Sequence, residues 1–296
     1  LYREQWAAAL KADPHWILIT SFNEWHEGSE IEPSFEDKET YLNASAQYAK
    51  GFKDRPRLKR EQAGSSALSA DEKARLRGRF EGSRIGVLSG ADSKAFWWLR
   101  DVGLDTKILS WEDVADGVCP GEYALLVYCG GERYRRTVKE VGDVDDALAG
   151  YLKAGGALAV LPSLPWPFYY DLDGKVVNQG ERFGVTIRGG WEQPQGGAKL
   201  AFVQPERRFA HVPERFDFPA SGDLRWRPIW ASGQANYVSL LQLRDGEGKG
   251  LGDAVAYAEL KDGGKMIYAW FALLEGEYGE ALLYDVFDYL AGRLGK

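Results

Sequence analysis

Two cysteines, three histidines and one methionine are all the soft or imidazole ligands in a chain of 296 residues. Cys119 and Cys129 are too few for a disulfide framework or a zinc cluster. With so few histidines, a multi-ligand metal site is not expected. No phosphate-cradling or dinucleotide fingerprint is present, so no cofactor is expected either. Long apolar runs are also missing: no stretch approaches the ~18–20 residues that a membrane-spanning helix needs. The N-terminus has no basic region leading into an apolar one, so no membrane partner is expected. Lys and Arg number 37 against 44 Asp and Glu, giving a net charge of −7. No dense basic face interleaved with aromatics appears, which disfavours nucleic acid and leaves neutral or cationic ligands as the better fit. The chain opens on Leu1 rather than methionine, as a trimmed, processed or partial product would.

What is present is ordinary in bulk and unusual in rings. Hydrophobic residues make up 45% and charged residues 27%, the balance of a globular chain. At 33.0 kDa it exceeds what one core usually covers, so two domains are expected. Aromatics reach 13%, with 11 Trp and 15 Tyr. Such rings either fill a core or line a carbohydrate site, where CH-rich sugar faces stack on them.

Residues 1–10 read as the end of an amphipathic helix stopped at Asp13-Pro14, because proline disfavours helical geometry in the residue before it. Residues 16–22 (WILITSF) are apolar and β-branched, as in a strand buried on both faces. Residues 39–52 show apolar positions at helical spacing and read as a helix packing back on that strand. Residues 59–82 are charged and small and read as a linker with a short helix near 70–80. From Arg84 strands and helices alternate (RIGVL, KAFWWLRDVG, TKILSW, YALLVY, DVDDALAGYLKAGG, ALAVLPS), which predicts a parallel sheet covered on both faces. Residues 166–250, rich in Gly, Pro and aromatics, read as a β-rich or irregular insertion. AVAYAEL and KMIYAWF then pair across LKDGGK, and ALLYDVFDYLAGRL closes as a helix.

The chemistry concentrates in residues 20–33, TSFNEWHEGSEIEP, which set Glu24, Glu27, Glu30 and Glu32 directly behind the first apolar strand. Barrel enzymes carry their catalytic groups at the C-terminal ends of strands, and glycoside cleavage commonly uses two carboxyl groups held in different protonation states. Glu24 and Glu27 converge only if the chain turns after Asn23, since residues three apart in a strand point to opposite faces about 10 Å apart. Gly28 eases such a turn. Trp25 would supply a stacking wall, and Asn23 or His26 would bond a sugar hydroxyl or tune a carboxylate. A solvated acidic loop explains the same residues without any chemistry.

The run ITSFNEWHEGSEIEP resembles the closing-strand signature of glycoside hydrolase family 99, the endo-α-mannosidase and endomannanase group. There a strand ends in an acid, two residues, a second acid, then Gly and Ser or Thr. The resemblance covers residues 1–58 and implies the C-terminal part of a (β/α)8 barrel acting on a polysaccharide or glycan. It also implies a retaining mechanism by neighbouring-group participation, with Glu24 as base on the sugar 2-hydroxyl. Glu27 would then protonate the leaving oxygen and afterwards activate water. Asn23, Trp25 and His26 are the candidate substrate-binding residues. With most of a barrel absent from the sequence, the chain alone is expected to be inactive. Any carbohydrate-degrading role would imply a secreted or periplasmic setting.

Residues 83–296 resemble the class I glutamine-amidotransferase-like domains appended to β-galactosidases, in the RIGVLSG opening and the GGALAVLPS strand. That resemblance implies a flavodoxin-like parallel-sheet domain. Working amidotransferases need a Cys on a tight strand-to-helix turn with a His and a Glu. Cys129 in VYCGGE has the glycines of such a turn, but the strand expected to carry the nucleophile ends in Ser163, and the downstream histidine is His211. Cys129 is therefore expected as a small buried residue, and the domain as a non-catalytic module that packs on the barrel, binds carbohydrate or mediates homo-oligomerisation. Gly130-Gly131 and Gly155-Gly156 read as turn glycines, Trp166, Phe168, Tyr169 and Tyr170 as packing residues, and His15 as a loop residue.

Overall fold

The computed structural model describes residues 2–11, 17–23, 30–54, 68–88, 93–131, 135–163, 180–187, 193–194, 199–219, 222 and 224–294. The chain divides into two compact units, Leu1–Ser65 and Ser66–Lys296.

Among the described residues the first unit holds two helices, α1 (Tyr2–Lys11) and α2 (Thr40–Asp54). Trp6 is buried and stacks on Tyr48, with ring centroids 5.4 Å apart and planes within 16°. One turn earlier Tyr2 meets Tyr41 edge-on at 5.4 Å, and its hydroxyl bonds the Ser45 hydroxyl. Residues spaced by four on α1 and by three or four on α2 thus form one aromatic seam, as helical geometry requires. The strand expected at residues 16–22 is not formed. Residues 17–22 take no strand pairing, and Leu18 and Phe22 are 87% and 52% exposed. A strand satisfies its backbone only through neighbours, and the sole β-type pairing in this unit, among the described residues, is the isolated bridge Ser34↔Lys38. No barrel is present among the described residues.

The second unit is a mixed α/β body around an eleven-stranded sheet. Its central strands β1 (Ile85–Leu88), β3 (Leu125–Tyr128) and β4 (Ala157–Val160) are apolar and buried at every position, the pattern of strands covered on both faces. β2 (Thr106–Leu109), β1, β3, β4 and β11 (Lys265–Ala269) lie side by side and parallel in that order. Helices α4 (Lys94–Val102), α5 (Trp111–Ala115) and α6 (Asp143–Lys153) form the connections. The order reverses between β1 and β3, since β1 leads through α4 to β2 on one side and β3 continues on the other.

Capping fixes where these elements begin and end. Ser93 accepts the Phe96 N–H at 3.1 Å to open α4, and Gly103 closes it at φ 81°. Ser110 and Asp113 form a reciprocal capping box that starts α5, so the stretch TKILSW is strand only to Leu109. The helix expected near 70–80 is α3 (Ala70–Arg79), opened by Ser69 and Glu72 in the same way; it belongs to this unit rather than to a linker.

The described part of residues 166–250 extends the same sheet. β10 (Gly250–Leu260) pairs antiparallel with both β11 and β9 (Ala235–Arg244). β9 is followed by β6 (Ala201–Val203) and β7 (Arg215–Asp217), while β8 (Ile229–Ala231) joins β10 to β5 (Val185–Ile187). Phe202, Phe216, Phe218, Trp226 and Trp270 cluster on this wing with centroid separations of 5.1 to 6.0 Å about Phe202. Trp226 and Trp270 are buried, so much of the aromatic excess serves the core. Trp166, Phe168, Tyr169 and Tyr170 lie outside the described residues. After β11 come α7 (Phe271–Glu275) and α8 (Gly279–Ala291), the latter nearly all buried. Among the described residues no helix is long and apolar enough to cross a membrane.

Candidate functional site

Of the sequence-derived site residues, Glu24, Trp25, His26 and Glu27 lie outside the described residues, and Asn23 sits exposed in a bend. The frame around them is described. The Phe22 carbonyl accepts the N–H groups of both Ile31 and Glu32, at 3.0 and 2.8 Å. Phe22 and residues 31–32, on either side of the acid-bearing stretch in the sequence, are thereby held together. Immediately downstream the Ser34 and Lys38 backbones bond each other reciprocally, and Ser34 Oγ accepts the Asp37 N–H at 2.8 Å. That turn borders an open cleft of about 610 Å³ lined by Pro33, Phe35, Lys38, Glu39, Thr40 and Asn43.

In the second unit, ligand chemistry is expected where the strand order reverses, at the C-terminal ends of β1 and β3. Ser93 and Cys129 meet there. The thiol is buried, and desolvation pushes its pKa up to about 11, with the Ser93 hydrogen bond pulling partly the other way. Burial thus favours the protonated thiol, whereas nucleophilic cysteines are depressed below their ordinary value. The glycines beside it are structural. Tyr128 donates its hydroxyl to the Gly131 carbonyl at 2.8 Å, and Ser163 donates its N–H to the Gly130 carbonyl at 3.1 Å. Gly156 faces the Tyr151 ring so closely that a Cβ would lie 2.4 Å from it.

His211, the histidine that a thiol would need as base, is engaged elsewhere. Its Nδ1 lies 2.8 Å from Asp285 Oδ1 on α8, and its Nε2 lies 3.0 Å from Glu72 Oε1 on α3. Asp285 is 5% exposed and also accepts the backbone N–H groups of Ala210, His211 and Val212. Partial burial pulls the His211 pKa down, but the hydrogen bond and charge of Asp285, helped by Glu72, more than reverse this, and the net direction is up. Glu72 is held below its ordinary value, chiefly by the Ser69 hydroxyl and N–H, with a smaller contribution from His211. The arrangement resembles the base and orienting acid of a triad, but Glu72 stands where a nucleophile would have to be. It ties α3 and the β6–β7 loop to α8. Sequence reading missed it; its local signals were the Ser69-x-x-Glu72 capping box and Asp285, a charge within the apolar run of α8. A second buried acid, Asp253, is likewise taken up, by the Tyr237 and Ser239 hydroxyls at 2.6 Å each and by Gln242.

No protein-family model matches the chain, and no curated protein does. Among solved structures, it is similar to a cytoplasmic protein from Salmonella typhimurium at 12% identity and TM-score 0.46, over 70% of this chain and 98% of that one. It is also similar to a candidate GMP synthase component from Thermoplasma acidophilum at 14% identity and TM-score 0.44, over 71% and 94%. Likenesses this remote assign neither the fold nor an activity.

Proposed function

We propose that residues 1–58 supply the closing strand and acidic mouth of a (β/α)8 glycoside-hydrolase barrel of the family 99 type, acting on a polysaccharide or glycan. Residues 83–296 would form a non-catalytic flavodoxin-like, glutamine-amidotransferase-like domain. The observation that carries the first part is the backbone contact at Phe22, which draws together the residues flanking the acid-bearing stretch. The apolar run 17–22 takes no strand pairing, exposes Leu18 and Phe22, and ends at a carbonyl that accepts the N–H groups of Ile31 and Glu32, with Glu24 and Glu27 between them in the sequence. In barrel enzymes catalytic groups sit at the C-terminal ends of strands, the position that Glu24 and Glu27 would take after such a run.

In this reading Glu24 removes the proton from the sugar 2-hydroxyl as its oxygen attacks the anomeric carbon from the face opposite the leaving group. Glu27 gives its proton to the departing oxygen, then takes one from the water that attacks the anomeric carbon, while the bond from that carbon to the 2-oxygen breaks and the 2-oxygen regains its proton from Glu24. Two inversions leave the anomeric configuration retained. Asn23, Trp25 and His26 would hold the sugar.

The test is kinetic, in a protein where this segment closes a complete barrel. Glu24→Gln should lower kcat by about 10²–10⁴ on natural and activated aryl oligomannosides alike. Glu27→Gln should do so on the natural glycan and far less on an aryl substrate that leaves without a proton. Undiminished turnover by Glu24→Gln would remove the proposal.

The second reading, a carbohydrate-binding or oligomerisation module, draws on Cys129. A buried thiol with its pKa raised, and a His211 held by two carboxylates, keep Cys129 and His211 from serving together as nucleophile and base.

A further inference from the structure

A cleft of about 360 Å³ lies between the β6–β7 loop and the ends of α3 and α8. Arg79, Arg208, His211 and Arg293 line it against Asp285 and Asp288, with one guanidinium nitrogen of Arg208 paired to Glu206 and its other donors left for a ligand. Both acids are already committed. Asp285 is shared among His211 and three backbone N–H groups, and Asp288 pairs with Arg79.

The loop forming one wall is built to hold its shape. The buried Gln204 amide donates to the carbonyls of Phe209, Val212 and Pro213 while its oxygen accepts the N–H groups of Arg208 and Phe209. Two buried side chains, Gln204 and Asp285, thus hold the backbone that carries Arg208 and His211.

Arg293 is positioned as firmly. Its guanidinium carbon lies 3.4 Å from the Tyr289 ring centroid and 5.3 Å from that of Tyr257. Nη1 donates to the Tyr289 carbonyl at 2.9 Å, and among the described residues no carboxylate pairs with Arg293. A flat guanidinium fixed on a ring keeps donors free for a bidentate partner. The Tyr289 hydroxyl, on a residue 9% exposed that lines the same cleft, is buried without a hydrogen-bond partner among the described residues.

We propose that this cleft binds an oxyanion, a phosphate ester or carboxylate group, with Arg293 and Arg208 as the principal contacts. It is independent of the barrel reading, since every residue in it belongs to the second unit.

The test is calorimetry on the whole chain at low ionic strength with four probes: inorganic phosphate, glucose 6-phosphate, glucuronate and glucose. Saturable binding of at least one of the three anions is expected, with a Kd of about 1 mM or tighter, and none of glucose. Arg293→Gln and Arg208→Gln should each weaken it at least tenfold. Arg84→Gln, which removes an exposed arginine paired with Asp105, should leave it unchanged. The preference between glucose 6-phosphate and glucuronate identifies the source of the oxyanion. If Arg293→Gln does not fold, Arg208→Gln at the rim decides alone. No saturable heat with any anion, equal binding of glucose, or equal weakening by Arg84→Gln overturns the proposal.

Discussion

Replacing Asp285 by alanine removes an acceptor from three backbone N–H groups at 2.9 to 3.3 Å and from the His211 ring at 2.8 Å, at a site 5% exposed. Breaking a buried, charge-assisted cluster of this kind costs about 3–5 kcal/mol, which lowers Tm by about 10 °C for a unit of this size. Asp285→Asn keeps one acceptor oxygen but turns an NH2 toward existing donors, and should fall between the two proteins. The charge contribution is read separately through His211→Gln. His211 has its pKa raised in the folded state, so its contribution is complete below the ordinary histidine value near 6.5 and is lost as pH rises through the folded value. Glu72 has its pKa lowered, so its contribution is complete above the ordinary value near 4.5 and is lost as pH falls through the folded one. Both partners are charged between about pH 5 and 6.5. His211 and Glu72 are 28% and 27% exposed, and solvent screening limits the pair to about 0.5–1.5 kcal/mol. Urea unfolding of wild type and His211→Gln at pH 5.5 and 8.5 should show the larger difference at 5.5. A cycle with Glu72→Gln should assign part of that difference to the pair. An equal or larger difference at pH 8.5 would refute the reasoning.

Two further outcomes follow from the core. Under native conditions at pH 8 a thiol reagent should modify Cys119, which is exposed, and reach Cys129 only on unfolding; rapid native titration of two thiols would contradict the burial described. Gly279→Ala sets a Cβ 2.2 Å from the Leu274 carbonyl oxygen, a backbone atom that moves only with α7, and should cost about 2–4 kcal/mol in thermal or urea unfolding. Gly121→Ala, where nothing lies within 4 Å, should cost little and serves as the control.

The central sheet was legible because its signals are local. The uninterrupted apolar runs of β1, β3 and β4, the serine caps at Ser93 and Ser110, and the Asp262-Gly263 turn between β10 and β11 each act within a few residues. The run at residues 17–22 carries the same local signal and forms no strand, since strand formation also needs neighbours. The wing from β5 to β9 was illegible as part of the sheet for a related reason. β9 reads as mixed polar and apolar, and its place is set by a long antiparallel ladder with β10, whose bulges shift the register and carry Asp253 inward to the Tyr237 and Ser239 hydroxyls.

The same distinction separates the two kinds of site. The acid pair stands out in sequence because Glu24 and Glu27 are three residues apart behind one apolar run, so spacing alone suggests a shared loop. The His211 cluster has no such spacing: Glu72 is 139 residues away and Asp285 is 74. Two of its members are ordinary in their own neighbourhoods, a capping-box glutamate and a loop histidine. Only Asp285 breaks a local rule, as a charged residue on a helix that is otherwise almost wholly buried. A charge placed there without compensation would cost several kcal/mol, so a partner had to come from elsewhere in the chain. The sequence could thus have flagged Asp285 as needing donors, and the fold supplies them from the β6–β7 loop, which brings Arg208 to the same cleft as Arg79 and Arg293.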